Sequence, residues 1–283
     1  MLTMSHAIPQ LKLNDGAVFP QISFGTYKLN GAPGVNAFRS ALDNGYRALD
    51  SAYNYENHGA VGEAIRQSDI PRSQIMITSK LPGRHHKYDE ALETIQESLY
   101  QTGLKYFDLY LIHWPNPKED HYVEAWKALI DAKKWGLIRS IGVSNFLPEH
   151  IDRLIDETGV TPAVNQIELH PYFSQGPQRE YDADHHIITE AWSPLGRASS
   201  VLEDPVIQKI ADTHHKTVGQ VILRWEIQLG VLPIPKSSSR VRQRENLHIF
   251  NFELTEEEME AITNLDRPDG RNKNQDPAVY EEF

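Results

Sequence analysis

Short runs of apolar residues alternate along the chain with longer segments in which apolar residues recur every three or four positions. The short runs favour β-strands, and the longer segments favour amphipathic helices. Strands are predicted at residues 22–26, 47–51, 75–80, 107–113, 140–144, 163–169, 187–192 and 231–235. Helices are predicted at residues 34–44, 59–67, 89–101, 122–134, 148–157, 220–228 and 256–265. This alternation is typical of the α/β class, and 283 residues suit a (β/α)₈ TIM barrel, which takes about 250.

One segment precedes the alternating strands and helices along the chain, and another follows them. Residues 11–19 predict a β-hairpin that turns at Asp15 and Gly16, because a type I′ turn needs residues that tolerate positive φ. We expect this hairpin to close the bottom of the barrel. Residues 266–283 form a polar tail containing Pro and Gly, long enough to fold over the rim. Residues 1–283 are therefore expected to form a single domain.

Composition narrows the possible partners. A net charge of −11 argues against nucleic acid or an anionic membrane, because both require a positive face. No apolar run approaches the roughly 20 residues of a membrane-spanning helix, and the first residues do not resemble a secretory signal, so a cytoplasmic protein is expected. The chain has no cysteine, and its adjacent histidines are poorly spaced for chelation. No metal site is predicted.

Polar residues stand where three predicted strands end or just beyond: Asp50 and Tyr55, Lys80, and His113. In a barrel of parallel strands, the carboxyl ends of the strands form the rim on which active sites lie. Other interpretations of each residue are open. Asp50 and Lys80 would also suit a structural ion pair, Tyr55 a packed aromatic residue, and His113 a hydrogen-bonded histidine at a strand end.

The motifs around these residues resemble those of the aldo-keto reductases, a family of NADP-dependent barrel enzymes, and most closely its bacterial branch containing 2,5-diketo-gluconate reductases. Residues 45–62 resemble the signature bearing the catalytic Asp and Tyr. Residues 77–81 resemble the segment bearing the Lys, and residues 108–115 the segment bearing the His. The resemblance runs from residue 11 to about residue 266, with the motifs in family order. It implies that Asp50, Tyr55, Lys80 and His113 are catalytic.

The resemblance also implies NADPH or NADP⁺ as the cofactor, lying extended across the rim. No Gly-x-Gly-x-x-Gly motif follows a strand, so a Rossmann site is not indicated. By resemblance, Ser144, Asn145 and Gln166 bind the nicotinamide carboxamide, and Trp192 stacks on the nicotinamide ring. A core aromatic role is the alternative for Trp192. The other expected cofactor-binding residues are Gly25, Thr26, Ser193, Leu195, Gly196, Lys236, Ser237, Arg242, Glu245 and Asn246.

Residues 236–246 hold the densest basic cluster of this acidic chain. A solvated run of charge is one interpretation. Guanidinium groups beside hydroxyls suit a phosphate monoester better, and the resemblance assigns this segment to the 2′-phosphate of the adenosine.

Carbonyl reduction by hydride needs a proton donor for the oxygen. Tyr, with an ordinary pKa of about 10, is a poor acid unless its phenolate is stabilised, which a neighbouring Lys⁺ would do. Asp50 would hold Lys80 by a buried ion pair, and a neutral His113 would hydrogen-bond the carbonyl oxygen. We therefore expect an NADPH-dependent reductase of aldehydes and ketones.

The substrate pocket implied by the resemblance has aromatic walls from Tyr27, Tyr55 and Trp114, together with the tail. Such walls predict small activated carbonyls, above all α-dicarbonyls such as methylglyoxal. A second hypothesis is a nucleotide-binding regulatory subunit with vestigial reductase activity, because the potassium-channel β-subunits of the family act in that way. The resemblance suggests a monomer.

Overall fold

The computed structural model describes residues 7–198 and 200–283. An antiparallel hairpin of β1 (Gln10–Lys12) and β2 (Val18–Pro20) precedes the barrel. Its turn differs from the predicted type I′ turn. Gly16 has a φ of 91°, but Asp15 is not among the described residues with positive φ. The Gly16 amide donates to the Leu13 carbonyl and the Leu13 amide to the Ala17 carbonyl, which makes a three-residue loop with glycine in the left-handed position.

Within the described residues, eight parallel strands form one sheet in chain order. They are β3 Phe24–Gly25, β4 Ala48–Asp50, β5 Met76–Leu81, β6 Phe107–Ile112, β7 Ile138–Ser144, β8 Val164–Glu168, β9 Ile188–Trp192 and β10 Leu232–Pro233. The Ser23 amide donates to the Pro233 carbonyl at 3.1 Å, and the Gly25 amide donates to the Pro235 carbonyl at 3.0 Å. The first and last strands therefore meet, and the sheet closes into the predicted (β/α)₈ barrel.

The last strand is shorter than predicted because Pro233 and Pro235 have no N–H group to donate to a neighbouring strand. Their carbonyls still accept the two hydrogen bonds that close the barrel. The hairpin lies at the other end of the strands, where Asn14 Nδ2 donates to the Pro162 carbonyl before β8. Leu13 and Phe19 pack there in a buried cluster with strand residues. The hairpin thus closes the bottom of the barrel.

Ten α-helices lie in the part of the chain that the structure describes. They are α1 Gly31–Asn44, α2 His58–Arg66, α3 Tyr88–Thr102, α4 Tyr122–Lys134, α5 Pro148–Thr158, α6 Gly176–Asp184, α7 Pro205–His214, α8 Val218–Gln228, α9 Arg240–Leu247 and α10 Glu256–Thr263. The predicted helices are all present, whereas α6, α7 and α9 were not predicted. No described helix is long and apolar enough to cross a membrane.

The tail, residues 266–283, crosses the rim of the barrel and is held at several points. The Arg267 amide donates to the Tyr172 carbonyl at 3.3 Å, and the Arg267 guanidinium lies 3.9 Å from the centre of the Tyr172 ring. A Cβ at Gly270 would overlap the Tyr172 carbonyl, so the chain passes this point only as glycine. Further on, the Asn272 amide donates to Glu168 at the end of β8 at 2.7 Å. The rest of the tail is thereby directed across the rim.

Candidate active site

Lys80 lies fully buried in β5 and is fixed by groups at the end of β4. Its ammonium donates to Asp50 Oδ1 at 2.6 Å and to the Ser51 carbonyl at 2.8 Å. It also lies 3.5 Å from the Tyr55 oxygen. Burial opposes the charge, but Asp50 and Tyr55 more than compensate and raise the pKa of Lys80 above its ordinary value. Lys80 is therefore an ammonium group directed at a phenol.

Tyr55 ends a short 3₁₀ turn that follows β4, and Asn57 fixes this turn. Asn57 Nδ2 donates to the Thr26 carbonyl at 2.9 Å, and its Oδ1 accepts from the Ser51 hydroxyl at 2.6 Å. Burial raises the pKa of Tyr55, and the ammonium of Lys80 offsets only part of that rise. The phenol is therefore protonated at neutral pH and can act as an acid.

Gln166 connects Asp50 to a second buried carboxyl group, that of Glu190. Gln166 Nε2 donates to Asp50 Oδ2 at 2.9 Å and to Glu190 Oε2 at 2.8 Å. Burial, assisted by Asp50, raises the pKa of Glu190 to about 8. Gln166 Oε1 accepts no hydrogen bond from the described residues, so it remains an acceptor for a bound amide. Glu190 was not among the predicted site residues, although a carboxyl group inside a buried strand was a signal for it.

Asn145 orients the indole of Trp192. Its Oδ1 accepts from Trp192 Nε1 at 2.8 Å, while its Nδ2 donates to the His113 carbonyl at 3.0 Å. The Ser144 hydroxyl donates to the Gln166 carbonyl at 2.7 Å and is buried. Ser144 therefore holds the backbone of Gln166, and its contact with the carboxamide stays a prediction.

A cavity of about 860 Å³ lies above these groups. The predicted residues that line it are Gly25, Thr26, Tyr27, Asp50, Tyr55, His113, Trp114, Asn145, Gln166, Trp192, Ser193, Leu195, Lys236, Ser237, Arg242 and Asn246. Four predicted residues, Lys80, Ser144, Gly196 and Glu245, are not part of its lining. Lys80 and Ser144 lie beneath the floor. Glu245 is on α9, where its carbonyl accepts from Gln220 Nε2 at 3.0 Å on the side of α8.

The basic end of the cavity is built by the segment that leads into α9. Lys236 and Arg242 are exposed at its edge, and Ser237 is buried between them. The Ser237 hydroxyl accepts from the Ser239 amide at 3.1 Å, and the Ser239 hydroxyl caps the helix by accepting from the Arg242 amide at 3.4 Å. The two cations therefore line the cavity from one segment of the chain. Among the described residues, no three His, Asp or Glu side chains are grouped so that they would hold a metal ion.

His113 lies directly after β6, with its ring centre 5.9 Å from that of Tyr55. Its Nδ1 lies 2.8 Å from Oε1 of Glu282, a residue of the tail. Burial opposes the charge of Glu282, but His113 and further donors outweigh burial and lower its pKa. No local pattern pointed to Glu282, because its contacts are with residues far away in sequence.

Comparisons with known proteins agree with this geometry. A model of the aldo/keto reductase family matches residues 21–267. The chain belongs to the aldo/keto reductase family. It is 50% identical over 276 residues to 2,5-diketo-D-gluconic acid reductase B of Corynebacterium sp. (strain SHS752001), covering 98% of this chain and 99% of the relative.

Methylglyoxal reductase DkgA of Yersinia pestis is 45% identical over 274 residues, covering 96% of this chain and 97% of that protein. A crystal structure of a Gox0644 mutant in complex with NADPH matches with a TM-score of 0.93 and 42% identity, covering 98% of this chain and 100% of that one. The family resemblance drawn from the motifs is thus confirmed. This aldo-keto reductase is an NADP-dependent oxidoreductase that reduces carbonyl groups.

The residues present fit the cofactor of an aldo-keto reductase. The cavity, at about 860 Å³, lies in the upper part of the range of about 300–1,000 Å³ that small-molecule and cofactor sites have. Its lining includes the cations Lys236 and Arg242, which suit a phosphate, and it also includes the indole of Trp192 and the side chain of Gln166. These are the chemical groups that a phosphorylated ribose and a nicotinamide carboxamide require.

Proposed function

We propose that Tyr55 is the proton donor of this reductase and that its preferred substrates are small activated carbonyls, notably α-dicarbonyls such as methylglyoxal. The observation that carries the proposal is the 3.5 Å separation between Lys80 Nζ and the Tyr55 oxygen at the floor of the cavity. A phenol beside a fixed ammonium is the acid that a carbonyl oxygen needs as negative charge develops on it.

Bound NADPH supplies the hydride. As the carbonyl oxygen gains charge, the O–H bond of Tyr55 breaks and the O–H bond of the alcohol forms, which leaves a phenolate facing the Lys80 ammonium. Asp50 keeps that ammonium in place through its 2.6 Å contact. Solvent then returns a proton to Tyr55. His113, on the neighbouring loop, donates a second hydrogen bond to the substrate oxygen.

For the cofactor, we propose that Trp192 stacks on the nicotinamide and that Gln166 Oε1 accepts from the carboxamide. The hydrogen bond between Trp192 and Asn145 holds the indole plane before the cofactor arrives. Lys236, Ser237 and Arg242 would bind the 2′-phosphate by charge-assisted hydrogen bonds.

The shape of the substrate end supports small carbonyls. The ring centres of Trp114 and Tyr280 are 4.4 Å apart, and those of Tyr27 and Tyr55 are 5.0 Å apart. Aromatic rings therefore form the walls. The polar groups of Tyr55 and His113 line the same cavity as these rings. Apolar walls discriminate weakly, since one methylene changes binding by about 1–3 kcal/mol, and a broad substrate range follows. Two relatives are named as reductases of dicarbonyl compounds.

The alternative is a nucleotide-binding regulatory subunit with vestigial activity. Oxidation of NADPH should be followed with methylglyoxal, phenylglyoxal, 2,5-diketo-D-gluconate, a simple ketone and glucose. We expect kcat/KM for the α-dicarbonyls to exceed that for glucose by about tenfold or more. Tight NADPH binding without turnover of any carbonyl would favour the regulatory subunit, and glucose as the best substrate would refute the proposed specificity.

We also propose that the chain is a single-domain monomer in the cytoplasm that binds neither nucleic acid nor membranes. Its net charge of −11 supports the absence of such anionic partners. Light scattering should give the mass of one chain, and a dimer would contradict this proposal.

A further inference from the structure

We propose that Glu190 is a positioning residue of the cofactor site, which holds the amide of Gln166 with its Oε1 facing the nicotinamide carboxamide. The inference rests on the contact proposed above between Gln166 Oε1 and that carboxamide. Gln166 lines the cavity and Glu190 does not, so Glu190 acts through Gln166.

Glu190 and Gln166 are neighbours on adjacent strands. They are partners in the parallel register of β8 and β9, and both side chains are buried. Trp192 follows two residues after Glu190, so its side chain lies on the same face of β9. One face of this strand therefore supplies both the indole proposed to stack on the nicotinamide and the carboxyl group beside Gln166.

The amide nitrogen of Gln166 has two N–H groups, and both have acceptors. One donates to Asp50 Oδ2 at 2.9 Å, and the other donates to Glu190 Oε2 at 2.8 Å. Asp50 is on β4, which lies opposite β8 in the order of the strands. Gln166 is therefore held both from its neighbouring strand and from across the barrel.

The two acceptors have different effects on the amide. Asp50 is paired with the Lys80 ammonium and accepts, so the nitrogen of Gln166 faces it. The terminal torsion of a glutamine side chain is broad, so this one bond would not fix the plane of the amide. Glu190 provides the second bond, which fixes the plane and with it the direction of Oε1.

The carboxyl group of Glu190 can accept in either protonation state. Burial, followed by the charge of Asp50, raises the pKa of Glu190 to about 8. At neutral pH the group is therefore mostly uncharged and adds little negative charge beside Asp50. A carboxylic acid accepts through its carbonyl oxygen, as a carboxylate does, so the contact with Gln166 does not depend on the titration.

The test compares the affinities of three ligands for the full chain by binding titration. NADP⁺ carries the carboxamide, its 3-acetylpyridine analogue has a methyl group in place of the amide NH₂, and adenosine 2′,5′-bisphosphate lacks the nicotinamide. We expect the wild type to bind NADP⁺ about tenfold more tightly than the analogue, because the analogue leaves Gln166 Oε1 without a donor. In Glu190→Met this ratio should fall below about threefold, while the Kd for the bisphosphate stays within about twofold.

Two further variants complete the test. Glu226→Met is the matched control, because Glu226 is another fully buried glutamate that does not line the cavity, and its ratio should equal that of the wild type. Glu190→Asp keeps the carboxyl group but shortens the side chain by one methylene. It should show a smaller fall of the ratio, and it provides the test if Glu190→Met does not fold.

The outcomes separate this inference from the proposed function. An unchanged ratio in both Glu190 variants would refute the inference, and so would an equal loss of affinity for all three ligands, which a purely structural role predicts. A wild type that bound NADP⁺ and the analogue equally would refute the contact proposed for Gln166, and this inference with it. The expected ratios in a chain that reduced no carbonyl would support the inference and refute the proposed function.

Discussion

The ammonium of Lys80 and the phenol oxygen of Tyr55 are 3.5 Å apart in a setting where the other two ammonium donors are already used by Asp50 and the Ser51 carbonyl. The third donor therefore points to Tyr55. A purely structural Asp50–Lys80 pair would not require a phenol in this direction. The arrangement favours a catalytic role for all three groups.

Removing the ammonium of Lys80 should weaken proton donation by Tyr55 and leave the fold of the rim unchanged. We expect Lys80→Met to lower kcat about 10²–10⁴-fold and Asp50→Asn to be milder. Because Asp50 also accepts from Gln166, Asp50→Asn should weaken NADPH binding as well. Lys133→Met is the matched control, since Lys133 pairs with Asp15 at 2.6 Å at the bottom of the barrel. Equal loss of kcat in the Lys133 variant would contradict a specific role for Lys80.

Cofactor choice should depend on Arg242. We expect Arg242→Ala to reduce the preference for NADPH over NADH about tenfold or more, since charge-assisted bonds contribute roughly 1.5–3 kcal/mol. Arg244→Ala is the matched control, because Arg244 is exposed on the same helix but does not line the cavity. Binding titrations with both cofactors give the ratio. An unchanged ratio in Arg242→Ala would show that the phosphate is recognised elsewhere.

The ring pair of Trp114 and Tyr280 should determine how KM depends on substrate size. We expect Trp114→Ala to raise KM for phenylglyoxal more than KM for methylglyoxal, because only the larger substrate reaches that wall. Tyr280→Ala should show the same asymmetry, since each ring supports the other. Steady-state kinetics with both substrates measure it. Equal changes in the two KM values would place the wall elsewhere.

Stability should respond to pH through Glu226, a fully buried residue of α8. Neither of its oxygens has a hydrogen-bond partner among the described residues, and burial raises its pKa well above the ordinary 4.5. The folded protein keeps a proton that the unfolded chain releases, so stability is full below the ordinary pKa and falls as pH rises from there towards the raised value. Each rise of one pH unit in this window lowers the free energy of unfolding by up to about 1.4 kcal/mol.

The test is thermal unfolding of Glu226→Gln at several pH values. We expect its Tm to exceed that of the wild type at about pH 8 and the difference to shrink towards about pH 5. Glu260→Gln, on the exposed side of α10, controls for the change of charge. A difference in Tm that did not vary with pH would show that Glu226 is not the group responsible.

The sequence was sufficient to predict which residues lie at the rim where the local pattern and the topology of the barrel act together. Strand ends in a closed barrel must meet at one rim, so Asp50, Lys80 and His113 could be placed before any coordinates. Helix α7 was missed although Asp204 and Pro205 mark its start and its buried face is apolar. Helices α6 and α9 gave no such signal, because the side chains they bury are polar.

Contacts between distant segments could not be read from pattern. Glu282 reaches His113 only because Gly270 lets the tail pass Tyr172 and because Asn116 holds the Glu282 backbone. Gln166 was predicted at the site, but its bond to Glu190 depends on the spacing of two neighbouring strands. Such details follow from three-dimensional register rather than from residue type.

Tyr55→Phe tests the proton donor most directly, since it removes one oxygen and leaves the ring against Tyr27. Hydride transfer should be measured in a single turnover with methylglyoxal, together with the Kd for NADPH. We predict that the rate falls by about 10²–10⁴-fold or more while the Kd stays within about twofold of the wild type. A variant that kept more than about a tenth of the wild-type rate would contradict the assignment of Tyr55 as the acid.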